Sequence, residues 1–228
     1  MNNDNYIDII YNPSEKPFTE YPSKLISYLI SRYNIKKGSK VLELGCGRGE
    51  FLNEFMNFGM DCYGLDLSNS SKNYFPKINL KICDLEKEKS PYNDNYFDIV
   101  YSKSFVEHFY YPEKIFNEAY RLLKPGGLLI TLTPEWNYIY KTFYHDFTHR
   151  TPFTKTSLMD IQKISNFKDV KVESFKQLPI LWPKTNLLII FFKFLSLLTR
   201  IFLPNFLKIK SKWIKFSKEV MILSCSKK

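Results

Sequence analysis

The sequence predicts an α/β fold in which a mostly parallel sheet carries helices on both faces. A short apolar run at residues 41–44 leads directly into a glycine-rich turn at 45–49. Similar apolar runs then alternate with segments of helical periodicity along the chain. The 228 residues are 44% hydrophobic and 17% aromatic, which is enough apolar surface to bury one core of this kind. We therefore expect a single domain.

The elements are predicted in order along the chain, after an N-terminal arm. Helices are expected at 23–33, 50–57, 115–123 and 156–165, where the sequence has helical character. Strands are expected at 40–44, 61–65, 77–83, 98–102, 128–133, 168–177 and 220–226, where the runs are short and strand-like. Pro125, Gly126 and Gly127 are expected to stop the helix that precedes them. These seven strands predict a seven-stranded sheet.

The glycine-rich turn is typical of a loop that binds a nucleotide-like ligand. Gly45, Gly47 and Gly49 can adopt positive φ and carry no side chain, so backbone N–H groups can approach a ligand. The spacing is G-x-G-x-G, with Glu50 at the position where the dinucleotide fingerprint has its third glycine. The loop also lacks the Gly-Lys-Ser/Thr ending of a P-loop, so binding of a pyrophosphate is disfavoured.

Acidic and polar residues end the next strands. Asp66 follows the second strand, where a carboxylate can accept both hydroxyls of a ribose. Asp84 follows the third strand and can lie beside an adenine edge. Ser102 ends the fourth strand, and a polar turn containing His108 comes directly after it. In a parallel sheet these positions share one edge, so they predict one site.

In this order and spacing the motifs resemble the class I S-adenosylmethionine-dependent methyltransferases. The resemblance is close over 38–134 and, by strand order, extends to 228. It implies a Rossmann-like fold whose mostly parallel sheet has an antiparallel last strand. It also implies that the glycine loop holds the methionine part of the cofactor and that the two acids contact ribose and adenine. The cofactor-binding residues implied by the resemblance are Glu43, Gly45, Cys46, Gly47, Gly49, Asp66, Leu67, Asp84, Leu85 and Ser102.

The motifs and the composition together divide the single domain, 1–228, into functional segments. Residues 1–37 form an N-terminal arm and the first helix, and 38–134 form the cofactor-binding core. Residues 135–155 form a linker that lines the substrate site, and 180–218 form an apolar and basic insertion before the last strand. A linker of this length more plausibly lines a site than only connects two elements.

The linker predicts the substrate class and the catalytic groups. Its pattern resembles methyltransferases of bacterial surface-polysaccharide and glycolipid pathways, and the residues that carry it are Asp146, Thr148, His149, Pro152, Phe153 and Thr154. A hydroxyl acceptor needs a base, and histidine suits that role near pH 7. The candidate catalytic residues are His149 and His145 as leading bases, Asp146 as an orienting group and His108. His108 can instead serve only to anchor its loop, and one of the two linker histidines can serve only to bind its neighbours. Arg150 is a candidate for holding a phosphate on the substrate.

Cysteine usage and the N-terminus favour a cytoplasmic protein. No Cys-x-x-Cys or Cys/His metal spacing occurs, so we expect no metal and reduced, partly buried thiols at Cys46, Cys62, Cys83 and Cys225. Residues 1–18 lack a basic region followed by an apolar core, so we expect no secretory signal there.

The last quarter of the chain carries most of the positive charge. Residues 181–228 contain ten Lys or Arg and one acid, a balance of +9 in a net charge of +10. Within this region 187–203 is apolar, with one polar stripe formed by Lys193, Ser196, Thr199 and Arg200. The run is short for a membrane span of about 20 residues. It fits a helix lying on an anionic membrane, with the lysines of 208–218 beside it, or one that forms a homodimer interface or covers the substrate pocket. Nucleic-acid binding is not expected, because no binding module accompanies the cations.

The sequence therefore predicts an S-adenosylmethionine-dependent O-methyltransferase. Its expected substrate is a small molecule, a sugar or sugar-linked precursor of a bacterial surface glycan, in the cytoplasm or at the inner face of the membrane. Two alternatives remain open. The acceptor can be a lipid or quinone-like molecule at the membrane, or the chain can be an inactive cofactor-binding scaffold for a partner enzyme.

Overall fold

A computed structural model of the chain describes residues 12–14, 16–182, 187–202 and 220–228. The strands are β1 (Lys40–Leu44), β2 (Asp61–Asp66), β3 (Asn79–Ile82), β4 (Phe97–Lys103), β5 (Leu123–Pro134), β6 (Lys168–Lys176) and β7 (Val220–Lys227). The described α-helices are α1 (Tyr21–Tyr33), α2 (Glu50–Asn57), α3 (Ser70–Tyr74), α4 (Pro112–Leu122), α5 (Trp136–Ile139), α6 (Lys155–Ile164) and α7 (Leu187–Phe202). Short 3₁₀ turns occur at Val106–His108, Phe143–His145 and Pro179–Leu181.

The seven strands form one sheet in the order β3-β2-β1-β4-β5-β7-β6. The pairs from β3 to β5 are parallel, whereas β7 is antiparallel to both of its neighbours, β5 and β6. The predicted Rossmann-like sheet with an antiparallel last strand is therefore confirmed. Because β1, β2 and β4 are adjacent and parallel, the loops after them meet at one edge of the sheet.

Helices cover both faces of the sheet, because the strands carry apolar side chains on both faces, as β1 does. Its residues alternate between the two cores, with Val41 in one and Leu42 in the other, and both are fully buried. The first core contains residues of α1 and α2, and the second contains residues of α4 and α6. Strands that are buried on both faces have continuous apolar sequences, and these strands could therefore be predicted from the sequence.

The connection from α4 to β5 differs from the sequence prediction. The helix ends at Leu122 and the strand begins at Leu123, so the Pro-Gly-Gly segment lies within β5 instead of forming a separate helix stop. Gly126 has a φ of +79°, and its N–H donates to the carbonyl of Lys228 at 3.1 Å. Leu123 also pairs with Phe97 of β4, so contacts with two distant segments hold this stretch in the sheet, and local sequence does not show those contacts.

Several sequence predictions lie outside the described residues. These are the N-terminal arm up to residue 11, the lysine-rich segment 208–218, and the side chains of the predicted polar stripe on α7. In the part of the chain that the structure describes, no helix has the length and apolarity needed to cross a membrane. All four cysteines are buried and unpaired.

Candidate functional site

The glycine loop between β1 and α2 is shaped by three left-handed residues. Gly45, Gly47 and Gly49 have φ of 68°, 50° and 84°, which L-residues with a Cβ rarely adopt. A Cβ at Gly45 would lie 2.1 Å from the ring of Phe105, in the segment after β4. A Cβ at Gly47 would meet nothing within 4 Å. Gly45 therefore packs against the next loop, whereas Gly47 borders open space where a ligand can approach.

Asp66 ties the end of β2 to the glycine loop. One of its carboxylate oxygens accepts the N–H of Gly47 at 2.8 Å, and the other accepts the N–H of Ser68 at 3.0 Å. Burial raises the pKa of Asp66, while these backbone N–H bonds partly offset that effect. The carboxylate is fixed in place and keeps lone pairs that can accept further hydroxyl groups. Leu67 beside it is 46% exposed.

Glu43 is buried beneath the glycine loop. Only 2% of this residue is exposed, and its Oε2 has no hydrogen-bond partner among the described residues. Burial, followed by the charge of Asp66, raises its pKa well above the ordinary value. A buried carboxyl oxygen without a partner is costly, and its place at the loop suits a polar ligand. The side chain of Cys46 packs against β2, because its Sγ would lie 2.9 Å from a Cβ added at Gly64.

Arg48 connects the glycine loop to the N-terminal segment. Its guanidinium forms an ion pair with Glu50 at 2.8 Å and donates to the carbonyl of Lys16 at 2.8 Å. The same group lies over the ring of Phe18, 4.5 Å from its centroid. The segment 16–18 is therefore held against the glycine loop and covers one side of it.

The other predicted cofactor residues lie nearby with different surroundings. Asp84 follows β3, forms an ion pair with Lys87 at 2.6 Å and accepts the N–H of Glu86. Leu85 is buried. Ser102 is also buried, and its hydroxyl donates to Thr131 at 3.3 Å. The hydroxyl of Ser102 is therefore used within the sheet, and a ligand contact there would involve its backbone.

A second group of polar residues forms where the turn after β4 meets the linker. Glu107 is fully buried, and its Oε2 accepts the hydroxyl of Thr133 at 2.9 Å. Its Oε1 has no hydrogen-bond partner among the described residues. The Glu107 carbonyl accepts the N–H groups of Arg150 at 2.8 Å and Thr151 at 3.0 Å. These bonds hold the linker against the turn and bring His149 beside His108.

The two histidine rings lie with their centroids 5.0 Å apart, and their hydrogen bonds define their tautomers. Nδ1 of His149 is 2.7 Å from the carbonyl oxygen of Phe143, which can only accept, so Nδ1 carries the proton. Thr148 donates its hydroxyl proton to Asp146 at 2.5 Å and therefore accepts from Nδ1 of His108 at 2.9 Å. In the neutral rings, Nε2 of each histidine keeps its lone pair.

The structure brings together three of the four predicted catalytic residues. Asp146 lies with an oxygen 3.9 Å from Nε2 of His149. Although burial opposes it, the hydrogen bonds from Thr148 lower the pKa of Asp146. His145 is instead exposed on the turn Phe143–His145. Arg150 donates to the carbonyl of Phe147, and its guanidinium lies 5.2 Å from the ring centroid of Tyr110.

Glu107 and Phe105 are not among the site residues predicted from the sequence. Glu107 occurs in the apolar stretch Phe105-Val106-Glu107, directly before His108. A carboxylate inside such a stretch is unusual, because buried charges are costly unless they are paired or bind a ligand. That feature is a signal by which Glu107 could have been found. Phe105 gave no signal, because its contact with Gly45 depends on the folded arrangement.

The fold and the site together define a class of protein. The sheet order, the glycine loop after β1 and the acid after β2 are the arrangement expected of an adenosyl-cofactor site at the carboxyl ends of the strands. Residues 42–131 match the protein family described as a methyltransferase domain. An uncharacterised protein of Methanocaldococcus jannaschii is 31% identical over 173 residues, covering 75% of this chain and 68% of that protein. The chain belongs to the class I S-adenosylmethionine-dependent methyltransferases.

Two further comparisons show which proteins the chain is similar to. Phosphoethanolamine N-methyltransferase 3 of Arabidopsis thaliana is 37% identical over 113 residues, 45% of this chain and 22% of that protein. The chain thus spans about a fifth of that relative's length. A SAM-dependent methyltransferase from Archaeoglobus fulgidus has the same fold, with a TM-score of 0.66 at 22% identity, covering 96% of this chain and 99% of that one. None of these proteins is described as acting on a surface glycan.

The residues present fit S-adenosylmethionine, the predicted cofactor. The open space at Gly47 would admit the methionine part of the cofactor. The unpartnered oxygen of Glu43 would accept a hydrogen bond from the charged amino group of that part. Asp66 would accept hydroxyl groups of the ribose. The cofactor supplies a methyl group bound to a positively charged sulfur, so the chain's own residues need only position the acceptor and remove a proton.

Proposed function

We propose that the chain transfers a methyl group from S-adenosylmethionine to a hydroxyl group of a sugar or sugar-linked precursor of a surface glycan. The observation that carries this proposal is the His108–His149 pair. Both Nε2 atoms keep a lone pair, and His108 lies in the turn directly after Phe105, whose ring packs against the cofactor loop. A hydroxyl acceptor requires groups of this kind beside the methyl donor.

Removal of a proton is what distinguishes a hydroxyl acceptor from a better nucleophile. An alcohol holds its proton at neutral pH, so transfer to its oxygen benefits from a neighbouring base, typically by about 10²–10⁴-fold. Burial, and then the nearby His149, lower the pKa of His108, which keeps this imidazole neutral and able to accept a proton. His149 is the second base candidate, since its Nε2 also keeps a lone pair.

The sugar part of the proposal rests on the linker. Four aromatic side chains there are exposed, between 38% and 60%: Tyr138, Tyr140, Tyr144 and Phe147. Rings of this kind offer apolar faces to the C–H groups of a sugar, and the hydroxyls of the three tyrosines can form hydrogen bonds. Arg150 would hold a phosphate on the precursor. The resemblance of the segment from Asp146 to Thr154 to glycan-pathway methyltransferases supports the same substrate class.

The test offers the purified protein several acceptors together with S-adenosylmethionine. Nucleotide sugars, glycan precursors, quinone-like lipids and phosphoethanolamine would be compared by formation of S-adenosylhomocysteine and by product mass. We expect methylation of a sugar hydroxyl, and we expect His149→Ala to lower kcat by about 10²–10⁴-fold with unchanged affinity for S-adenosylhomocysteine.

His145→Ala is the matched control for that experiment, because His145 is exposed on the same linker. Its activity should stay near that of the unmodified protein. Methylation of phosphoethanolamine alone would overturn the proposal. Cofactor binding without methylation of any acceptor would instead support the scaffold alternative.

A second candidate is a lipid acceptor at a membrane, and α7 favours it. Four apolar residues lie on one face of this helix at spacings of one, four and seven positions, and all are exposed by 38% to 57%: Ile190, Phe191, Phe194 and Leu197. The plant relative is named for phosphoethanolamine, which is also a lipid headgroup. In this alternative the helix would lie on the membrane from which the acceptor is taken.

A further inference from the structure

We propose that Glu107, His108 and His149 bind a divalent transition-metal ion. Each residue offers one ligand atom, and the three atoms lie within 4.8 Å of one another. Two of the ligands come from the turn after β4, and the third comes from the linker. The backbone bonds from Arg150 and Thr151 to the Glu107 carbonyl hold these two segments together.

The unpartnered oxygen of Glu107 is an independent indication of a ligand at this position. The residue is 0% exposed, Thr133 occupies Oε2, and Oε1 has no hydrogen-bond partner among the described residues. A buried carboxylate oxygen normally has a partner, and a bound cation is one of the few groups that compensate for its burial. A metal ion between the carboxylate and the two rings would supply that partner.

The hydrogen bonds around the histidines match those expected for metal ligands. A metal-binding histidine commonly donates its other ring N–H to a carbonyl or to a group bonded to a carboxylate, which fixes the ring. Nδ1 of His149 donates to the Phe143 carbonyl at 2.7 Å. Nδ1 of His108 donates to Thr148, which in turn donates to Asp146. Both Nε2 atoms are thereby left as ligands.

The ligand set also indicates which metals would bind. Two imidazole nitrogens and one carboxylate oxygen suit Zn²⁺, Mn²⁺, Fe²⁺ or Co²⁺, whereas Mg²⁺ and Ca²⁺ prefer a site made of oxygen atoms. Three protein ligands leave coordination positions for water or substrate. The sequence predicted no metal because only ligands closely spaced in the chain form a recognisable pattern, and here His149 comes from a separate segment.

The role of the ion rests on the proposed function. An acceptor hydroxyl that contacts the cation has a lowered pKa, so it loses its proton to water more readily. Its oxygen then forms a bond to the methyl carbon while the sulfur–methyl bond breaks. The electron pair of that bond passes to sulfur, giving S-adenosylhomocysteine and a methyl ether. When the ion is bound, the histidines hold it, and the lowered pKa of the hydroxyl replaces their action as bases; in the metal-free chain they remain the bases proposed above.

Metal binding can be measured without any acceptor. The full chain, stripped with EDTA and dialysed, would be titrated with ZnCl₂, MnCl₂ and CoCl₂ by calorimetry, and the Co²⁺ sample would be followed by visible absorption. We expect one ion per chain with at least one of these metals and a rise in Tm on binding. Glu107→Gln and His149→Ala should each weaken binding by at least about tenfold.

His145→Ala is the control and should bind the ion as the unmodified chain does. Retained binding of S-adenosylhomocysteine would show that the variants are folded, and His108→Asn replaces Glu107→Gln if that variant unfolds. Absence of one-to-one binding by the unmodified chain, or equal binding by all variants, would overturn the inference. Methylation that persists in EDTA without metal binding would leave the proposed function intact. Metal binding without hydroxyl methylation would reject the proposed function alone.

Discussion

Two carboxyl groups, those of Glu43 and Glu107, are buried near the ends of the adjacent strands β1 and β4. Each has one oxygen without a hydrogen-bond partner among the described residues. Burial raises the pKa of Glu43 well above its ordinary value and that of Glu107 to about 7. Such groups lower the stability of a fold unless a ligand compensates for them. Perturbed carboxyl groups in this arrangement are therefore typical of binding and catalytic sites.

Replacing Glu43 with glutamine should reduce the pH dependence of stability in the cofactor-free chain. Because the folded pKa of Glu43 lies above its unfolded value near 4.5, its favourable contribution is complete below that value and is lost as pH rises through the folded pKa. A tenfold difference in proton affinity between the folded and unfolded chains corresponds to about 1.4 kcal/mol. The free energy of unfolding, measured by denaturant titration from about pH 5 upward, should therefore fall less in Glu43→Gln.

Glu86→Gln provides the comparison for this measurement, because Glu86 is exposed on the loop after β3. Its pH profile should follow that of the unmodified chain. Parallel profiles for Glu43→Gln and the unmodified chain would show that Glu43 is ionised at little cost in the folded state, contrary to this account.

At the level of elements, the glycine loop both packs against the segment after β4 and borders the space for the cofactor. Separate substitutions can distinguish these two roles. Gly45→Ala places a Cβ 2.1 Å from the Phe105 ring, whereas Gly47→Ala meets nothing within 4 Å. Both substitutions also carry the cost of a left-handed backbone, about 1–2 kcal/mol. We therefore expect Gly45→Ala to lower Tm much more than Gly47→Ala, in thermal unfolding without ligand.

The Tm values of these two variants should respond differently when S-adenosylhomocysteine is added. Gly47→Ala fills space at the open part of the loop, so it should remove most of the ligand-induced rise in Tm. Gly38→Ala is a suitable control, because Gly38 also has a positive φ with nothing within 4 Å but precedes β1, away from the loop. A full ligand-induced rise in Gly47→Ala would contradict the proposed position of the cofactor.

The elements that the sequence predicted accurately are those whose bounds are determined by neighbouring residues in the chain. β1 and α2 have the predicted bounds, because an apolar run and a glycine turn define them. The short helix α5 and the early start of β5 were not predicted, since they depend on contacts with distant segments. The site divides in the same way. The acidic residue Asp66 follows from its motif, whereas the grouping of Glu107 with His149 depends on how the linker folds back.

At the scale of the whole molecule, the exposed apolar face of α7 should determine whether the protein associates with membranes. We expect co-sedimentation with vesicles that contain anionic lipid and weaker binding at high salt, where the Debye length shortens from about 10 Å at 0.1 M to about 3 Å at 1 M. Replacing both Phe191 and Phe194 with aspartate should reduce the bound fraction severalfold, because both side chains are 57% exposed.

Ile164→Asp is the matched control, since Ile164 is 76% exposed at the end of α6. It should leave vesicle binding unchanged. If the unmodified chain ignores vesicles and sediments as a dimer that the double substitution dissociates, the face is a subunit interface instead. If neither occurs and the double substitution only lowers activity, the helix covers the substrate pocket.

The position of β7 in the sheet has a consequence for how the chain folds while it is being synthesised. β7 (Val220–Lys227) lies between β5 and β6, although it is made after both of them. Until it emerges from the ribosome, β6 has no neighbour in the sheet and β5 presents an unpaired edge. The half of the sheet that carries the glycine loop can form earlier, because β1 to β4 are already complete. The nascent chain therefore passes through a stage with an exposed apolar strand edge, which is when it is most open to aggregation or to protection by a chaperone.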